Sequence, residues 1–458
     1  MNDLAADPLA GSSIAQFGAR LRRGEITSER ATGLYLARIA ALDPGLEAFT
    51  HVASEQALET ARGVDRLLAG GVDLGPLMGV PVAVKDLYTV AGMPQSRVGS
   101  RLDVSDLVEP EGTFIRKLKR AGCVILGKTR MTEFAFGLVN LNQKPPRNPW
   151  DTKVHRMPGG SSSGSAVALA AGMCALAFGS DTGGSVRQPA ALCGVCGFKA
   201  TAGRWSLDGV FPLSHSFDSI GFFSRSAEEA AIAYAALSNE PPSSSKPIRG
   251  IKLGRPANHY FDDLTATVRQ SVESALTVLE KAGVELVPIE IPEVRETNEI
   301  IVPIMAAELL AHLGRERVQA GQGVLDPIVR SRLQGAFALT AVDYIRQLHR
   351  ANALRGIARK RMQWLDGWIS PTTFSTAVAV DECATVETAI AWTHKSTRNT
   401  RPGNLFGQCG ISIPVKPVGT DLPVGIQLMC APGCEATLLS ISQSIEELLP
   451  KPGRPHLM

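Results

Sequence analysis

Gly79-Val80-Pro81-Val82-Ala83-Val84-Lys85-Asp86 is the stretch from which the fold can be read. Val80 to Val84 is a short, continuous apolar run, the form of a strand buried on both faces, where no side chain meets water and alternation is lost. The run closes on Lys85, so a cation is expected at the end of a buried strand. A helix expected over residues 111–121 stops at Gly122 and gives way to Val124-Ile125-Leu126, a second strand of the same kind. Helix-to-strand alternation of this sort argues for an α/β sheet.

Upstream, residues 28–42 place Leu34, Ile39 and Leu42 at helical spacing after Thr27 and Ser28, either of which could cap the start. Asp43-Pro44-Gly45 is expected to end that helix. Residues 52–69 repeat the pattern, so residues 1–75 read as a helical section packed over a core at 76–230. Asn239 to Pro247 is a Pro/Ser-rich loop. After it a strand (Lys252-Leu253), a helix (265–282) and a strand (Glu285-Leu286-Val287) resume the alternation. Residues 297–364 are helical in pattern and read as a layer over the sheet that shapes a substrate site. Strands return at Trp368-Ile369-Ser370, Gly410 to Ile413 and Val424 to Leu428, before a helix at 435–448. A length of 458 residues permits two or three domains or one large unit. No linker is long or polar enough to separate two cores, so one α/β domain over 1–458 is expected.

Composition excludes several function classes. A formal charge of +3 on 458 residues implies no nucleic-acid partner, and the basic group Arg116-Lys117 with Lys119-Arg120 reads as a solvated helix face. Met1 to Gln16 carries Asp3 and Asp7 and does not read as a signal peptide. No stretch reaches the roughly 20 apolar residues needed to span a bilayer. A cytoplasmic location is the expectation. The eight cysteines lack a regular framework, and Cys193-Gly194-Val195-Cys196 has no second pair or histidine to complete a zinc site, so they read as reduced structural thiols.

The chemistry is concentrated in two Gly/Ser turns. Pro158-Gly159-Gly160-Ser161-Ser162-Ser163-Gly164-Ser165 precedes a small-residue helix (166–171) and a strand-like run (173–178). Gly179-Ser180-Asp181-Thr182-Gly183-Gly184-Ser185-Val186-Arg187 follows. Glycines allow close backbone approach, so the turn Thr182-Gly183-Gly184-Ser185 can aim successive N–H groups at one point, as an oxyanion requires. A serine nucleophile needs a base, and none of the eight histidines lies in these turns; His155 and His215 are in polar loops. A lysine on a buried strand end can substitute, because desolvation disfavours its ammonium form. Lys85 meets that description.

At this point the sequence resembles the amidase signature enzymes over nearly its whole length. The resemblance rests on Gly79 to Asp86, Gly127-Lys128-Thr129 with Glu133-Phe134-Ala135, Asn148-Pro149-Trp150-Asp151, the two Ser/Gly turns, and Pro189-Ala190 through Cys193-Gly194-Val195. Late matches are Pro371-Thr372, Asn404-Leu405 with Gly407, and Leu422 to Leu428. It implies a central mixed sheet covered by helices and hydrolysis of a small-molecule amide without a metal or organic cofactor. It assigns Ser185 as nucleophile, Ser161 as a bridging serine after a cis peptide from Gly160, Lys85 as base, and the N–H groups of Thr182, Gly183, Gly184 and Ser185 as oxyanion hole. A homodimer is expected only by analogy with relatives. Ser163 departs from the family, where glycine is common, and is expected to tune packing. Asp181 and Arg187 are expected to hold the turn.

Three other readings compete. Gly160-Ser161-Ser162-Ser163-Gly164 satisfies G-x-S-x-G with Ser162 as nucleophile, but that turn needs a preceding strand and a late histidine, for which His394 and His456 are the candidates. The second is the amidase subunit of a tRNA-dependent amidotransferase. Those subunits typically carry an Asp seven residues before the position matching Asn404, able to bind the glutamine ammonium. Thr397 stands there, and Arg398 and Arg401 would repel a cation, so a free-standing amidase is preferred. These two arginines hint at an anionic or polar acyl group, with solvated surface the favoured reading. A non-enzymatic binding protein would be expected to lose one of the three catalytic residues, and all three are present.

Overall fold

The apolar run at Gly79 is a strand, Pro81–Lys85, in which every residue is buried. Proline is tolerated there because it occupies the first position. The computed structural model describes residues 9, 12–455 and 457; Asp3, Asp7 and His456 lie outside them. Among the described residues one sheet has eleven strands. In chain order they are β1 (Phe49–Val52), β2 (Pro81–Lys85), β3 (Val124–Thr129), β4 (Leu176–Ser180), β5 (Cys196–Lys199), β6 (Ile220–Ser224), β7 (Lys252–Pro256), β8 (Glu285–Ile289), β9 (Gly367–Pro371), β10 (Cys409–Val415) and β11 (Val424–Cys430). Across the sheet the order is β1-β3-β2-β4-β6-β5-β10-β11-β9-β7-β8.

The sheet is mixed, as the resemblance implies. β3, β2 and β4 run parallel, as do β9, β7 and β8, while β6, β5, β10 and β11 pair antiparallel between them. Strands from the last fifty residues therefore sit beside strands from the first half, and the chain is a single α/β domain. The helices Ser163–Ala170 and Arg187–Cys193 are buried almost throughout, which is why their sequences show no amphipathic stripe. Four helices, Thr297–Leu313, Arg315–Ala320, Pro327–Ala338 and Ala341–Met362, form the expected helical segment.

Several expectations need correction. Asp43-Pro44-Gly45 does not end its helix, which runs Ser28–Leu46 with Pro44 inside. The ring removes one N–H in the last turn, a small loss, and the stop is set by Glu47 in the left-handed region, its N–H donating to Asp43 O. The helix expected from residue 52 starts at Ser54, because Phe49–Val52 is the edge strand β1. The strand expected over 173–178 is shifted to Leu176–Ser180. Arg116 does lie on an exposed face, near Asp208, and Lys119 pairs with Glu111.

Candidate active site

The parallel register pairs Val82 with Leu176 and Val84 with Phe178. The C-terminal ends of β2 and β4 therefore lie side by side, and β4 ends on Ser180, directly before Asp181. Open α/β sheets bind ligands at such strand ends. Lys85 is 0% exposed, and its Nζ donates to Ser161 Oγ at 2.7 Å and to Ser180 Oγ at 2.9 Å. Burial pushes the Lys85 amine down to about 7, against the opposing pull of Asp218 and Asp181. A substantial neutral fraction thus exists near neutral pH.

Ser161 is also 0% exposed, and the Gly160–Ser161 peptide bond is cis. Its turn is fixed from several sides. Gly160 N–H donates to Gln188 Oε1 at 3.1 Å, Thr132 N–H donates to Ser161 O at 3.2 Å, and a Cβ at Gly160 would stand only 3.0 Å from Leu138 O, a tight contact. Ser162 N–H donates to Ser185 O at 3.4 Å, tying the two Ser/Gly turns together. Ser185 is 7% exposed, and none of the described residues hydrogen-bonds its hydroxyl. The structure thus joins Lys85 to Ser161 directly and Ser185 to that pair through the backbone.

The expected set of N–H donors is altered at one position. Gly184 N–H donates to Asp181 Oδ1 at 2.9 Å and is already used. The N–H groups of Thr182, Gly183 and Ser185 make no hydrogen bond to described residues and remain available. Gly184 is required for shape instead: its φ is +118°, and a Cβ would stand 2.0 Å from Thr400 Oγ1. Thr400 in turn donates to Gly183 O at 2.9 Å.

Asp181 and Arg187 hold this turn, as expected. Both are fully buried, with Arg187 Nη2 3.0 Å from Asp181 Oδ1. Arg187 also donates to Thr400 O, Asn404 Oδ1 and Gln427 Oε1. Burial alone would raise the Asp181 carboxyl, but Arg187, Lys199 and Asn404 overcome it and hold the group below the usual carboxylate range. Other signature residues are structural too. Asp86 pairs with Lys128 at 2.7 Å, clamping β2 to β3, and Asn148 Nδ2 donates to Leu192 O at 2.9 Å.

Three contributors were missed by sequence reasoning. Ser180 shares the lysine with Ser161. Asp218 accepts from the Thr182 hydroxyl at 2.5 Å and from the N–H groups of Leu213 and Ser214, and Thr400 braces the turn. Ser180 had a signal, since it lies inside the second turn; Asp218 and Thr400 are distant in sequence and had none.

The G-x-S-x-G reading fails on geometry. Ser162 is fully buried with its hydroxyl on Ser180 O, and residues 151–158 form no strand. Ser163 is buried and donates to Arg130 O at 3.4 Å. His155 meets Pro145 O, and His215 is exposed. Cys123, Cys193, Cys196, Cys383, Cys409, Cys430 and Cys434 are free thiols. No helix among the described residues is long and apolar enough to cross a membrane.

A family profile described as Amidase matches residues 30–439. The chain belongs to the amidase signature family. It is 37% identical over 445 residues to 2-amino-5-chloromuconic acid deaminase of Comamonas testosteroni, covering 95% of this chain and 96% of that protein. It is 34% identical over 496 residues to a glutamyl-tRNA(Gln) amidotransferase subunit of Nitratidesulfovibrio vulgaris (strain DP4), covering 97% and 98%. Among solved structures, the peptide amidase of Stenotrophomonas maltophilia superposes with a TM-score of 0.84 at 28% identity, covering 99% of this chain and 100% of that one. As a member of the amidase signature family the chain is a hydrolase of C–N bonds.

Proposed function

We propose that this amidase cleaves the amide bond of a small molecule through a Ser185 acyl-enzyme, with Lys85 as base and Ser161 as the bridge between them. The observation that carries the reading is the buried 2.7 Å hydrogen bond between Lys85 and Ser161 at an amine lowered to about 7. Ser185 Oγ attacks the carbonyl carbon; its proton moves to Ser161, which passes its own to Lys85. The oxyanion is met by the free N–H groups of Thr182, Gly183 and Ser185. On collapse the C–N bond breaks, and the proton returns from Lys85 through Ser161 to the departing nitrogen. Water then repeats the sequence on the ester. The Comamonas relative is named a deaminase, which favours ammonia as the leaving group. Free thiols at Cys123, Cys193, Cys196, Cys383, Cys409, Cys430 and Cys434 suit a reducing cytoplasm.

Incubating the enzyme with a panel of aliphatic, aromatic, carboxylated and urea-type amides, then quenching, tests this reading by intact mass. The expected result is an adduct of acyl mass on the peptide containing Ser185, absent in Ser185→Ala. An adduct on any other residue overturns the assignment. A rate from the isolated chain comparable to free-standing amidases speaks against the amidotransferase-subunit reading, which the Nitratidesulfovibrio likeness keeps in play.

The pH dependence has a definite sign. Lys85 must be unprotonated to accept a proton, so kcat/KM is expected to rise with pH through about 7. Glu133, raised by burial to about 7, titrates in the same window, so the limb must survive Glu133→Gln. A profile flat from about pH 6 to about pH 8 removes Lys85 from the role of base.

A further inference from the structure

Arg398 and Arg401, neighbours in sequence, have opposite fates. Arg398 is partly buried, with a side chain 16% exposed, and it is neutralised and tied down by Asp263 and by Asp262 O. Arg401 corrects the expectation of a solvated surface: it is 3% exposed. Its stem lies against the oxyanion turn, where a methyl group on Gly183 would stand 3.3 Å from Arg401 Cγ and 3.8 Å from Nε. The one described partner of its guanidinium is neutral, Asn298 Oδ1 at 2.6 Å.

A second guanidinium approaches from the helical layer. Arg332 Nη1 donates to Phe136 O at 3.1 Å, and its carbon sits 4.9 Å from the Phe136 ring centroid. Its Nε and Nη2 are buried with no hydrogen-bond partner. The loop it grips continues to Leu138, the residue packed against Gly160. The two arginines thus flank the two Ser/Gly turns. Burial, and then the like charge of Arg332, works against the Arg401 cation, and no acid offsets it. His394 is lowered by burial and then by both arginines, so it stays neutral and adds no third positive charge.

Desolvated arginines without a carboxylate are costly in a finished protein, and fork-shaped donors left unused match the two oxygens of a carboxylate. We infer that Arg401 and Arg332 bind a free carboxylate of the substrate, so that the preferred substrates are monoamides of short dicarboxylic acids. The inference rests on the amide-hydrolase reading for its catalytic part and on the buried arginines for its binding part.

The test compares succinamate and glutaramate with their neutral diamides, and follows succinate binding by calorimetry. The wild-type enzyme is expected to favour the charged amide in kcat/KM by roughly 10- to 100-fold. Arg401→Gln and Arg332→Gln, on separate elements, should each erase about tenfold or more of that preference, mainly through KM, and weaken succinate binding. Arg401→Lys should restore part of it, and Arg398→Gln should leave it unchanged. Equal or better hydrolysis of the diamides, or a preference untouched by both glutamine variants, overturns the inference. Succinate binding that depends on Arg401, in a protein hydrolysing no amide, supports the carboxylate subsite while refuting the hydrolase reading. Absence of such binding alongside active hydrolysis refutes the subsite alone.

Discussion

Replacing Lys85 with alanine is expected to cut kcat by about 1,000- to 10,000-fold while KM stays within a few-fold. The amine is wholly buried and donates to Ser161 Oγ, and no described histidine hydrogen-bonds Ser161 or Ser185. Ser161→Ala and Ser185→Ala should lose rate on the same scale. Groups that act as one relay fail together, so Lys85→Ala combined with Ser185→Ala should be no slower than the worse single variant. Steady-state kinetics on any accepted amide gives the answer. A Lys85→Ala enzyme keeping more than about a tenth of kcat, or losses that multiply in the double variant, would falsify the relay.

Arg187→Met should lower the unfolding free energy by about 3–5 kcal/mol and abolish activity in the fraction that still folds. The substitution leaves Asp181 charged, fully buried and without its cation, and releases Asn404, Gln427 and Thr400 O from a shared donor. Arg187→Lys should not rescue it, because one ammonium cannot supply the planar fork that reaches all four acceptors. Removing the charge as well, with Asp181→Leu in the Arg187→Met background, should recover part of the stability. Activity should stay lost, because Gly184 N–H no longer has its anchor and the turn relaxes. Urea midpoints read beside initial rates separate the two effects. Stability within about 1 kcal/mol of wild type in Arg187→Met would show that the pair does not hold the turn.

Much of this was legible along the chain, for identifiable reasons. The strand carrying Lys85 is readable because burial on both faces erases alternation, and a lysine closing such a strand must be either desolvated or exposed at its tip. The Ser/Gly turns are readable because close backbone approach restricts them to small residues. The strands Cys196–Lys199 and Ile220–Ser224 escaped notice, being four and five residues long among glycines. Arg401 was misjudged for a different reason. Nothing within a few residues of it reveals that its stem rests on Gly183, more than two hundred positions earlier. The commitment of Gly184 N–H to Asp181 was missed although the three-residue spacing was in view, because a backbone donor's partner depends on how the turn is rotated.

The sheet order has a consequence for biosynthesis. Lys85, Ser161 and Ser185 have all left the ribosome well before Thr400, Asn404 and Gln427, yet these late residues brace the turn that presents Ser185. β10, which lies beside β5 at the middle of the sheet, is also a late arrival. A nascent chain halted near its midpoint therefore carries Lys85, Ser161 and Ser185 without the contacts that brace the second Ser/Gly turn. Thr400, Asn404 and Gln427 thus couple that turn to segments of the chain more than two hundred residues downstream.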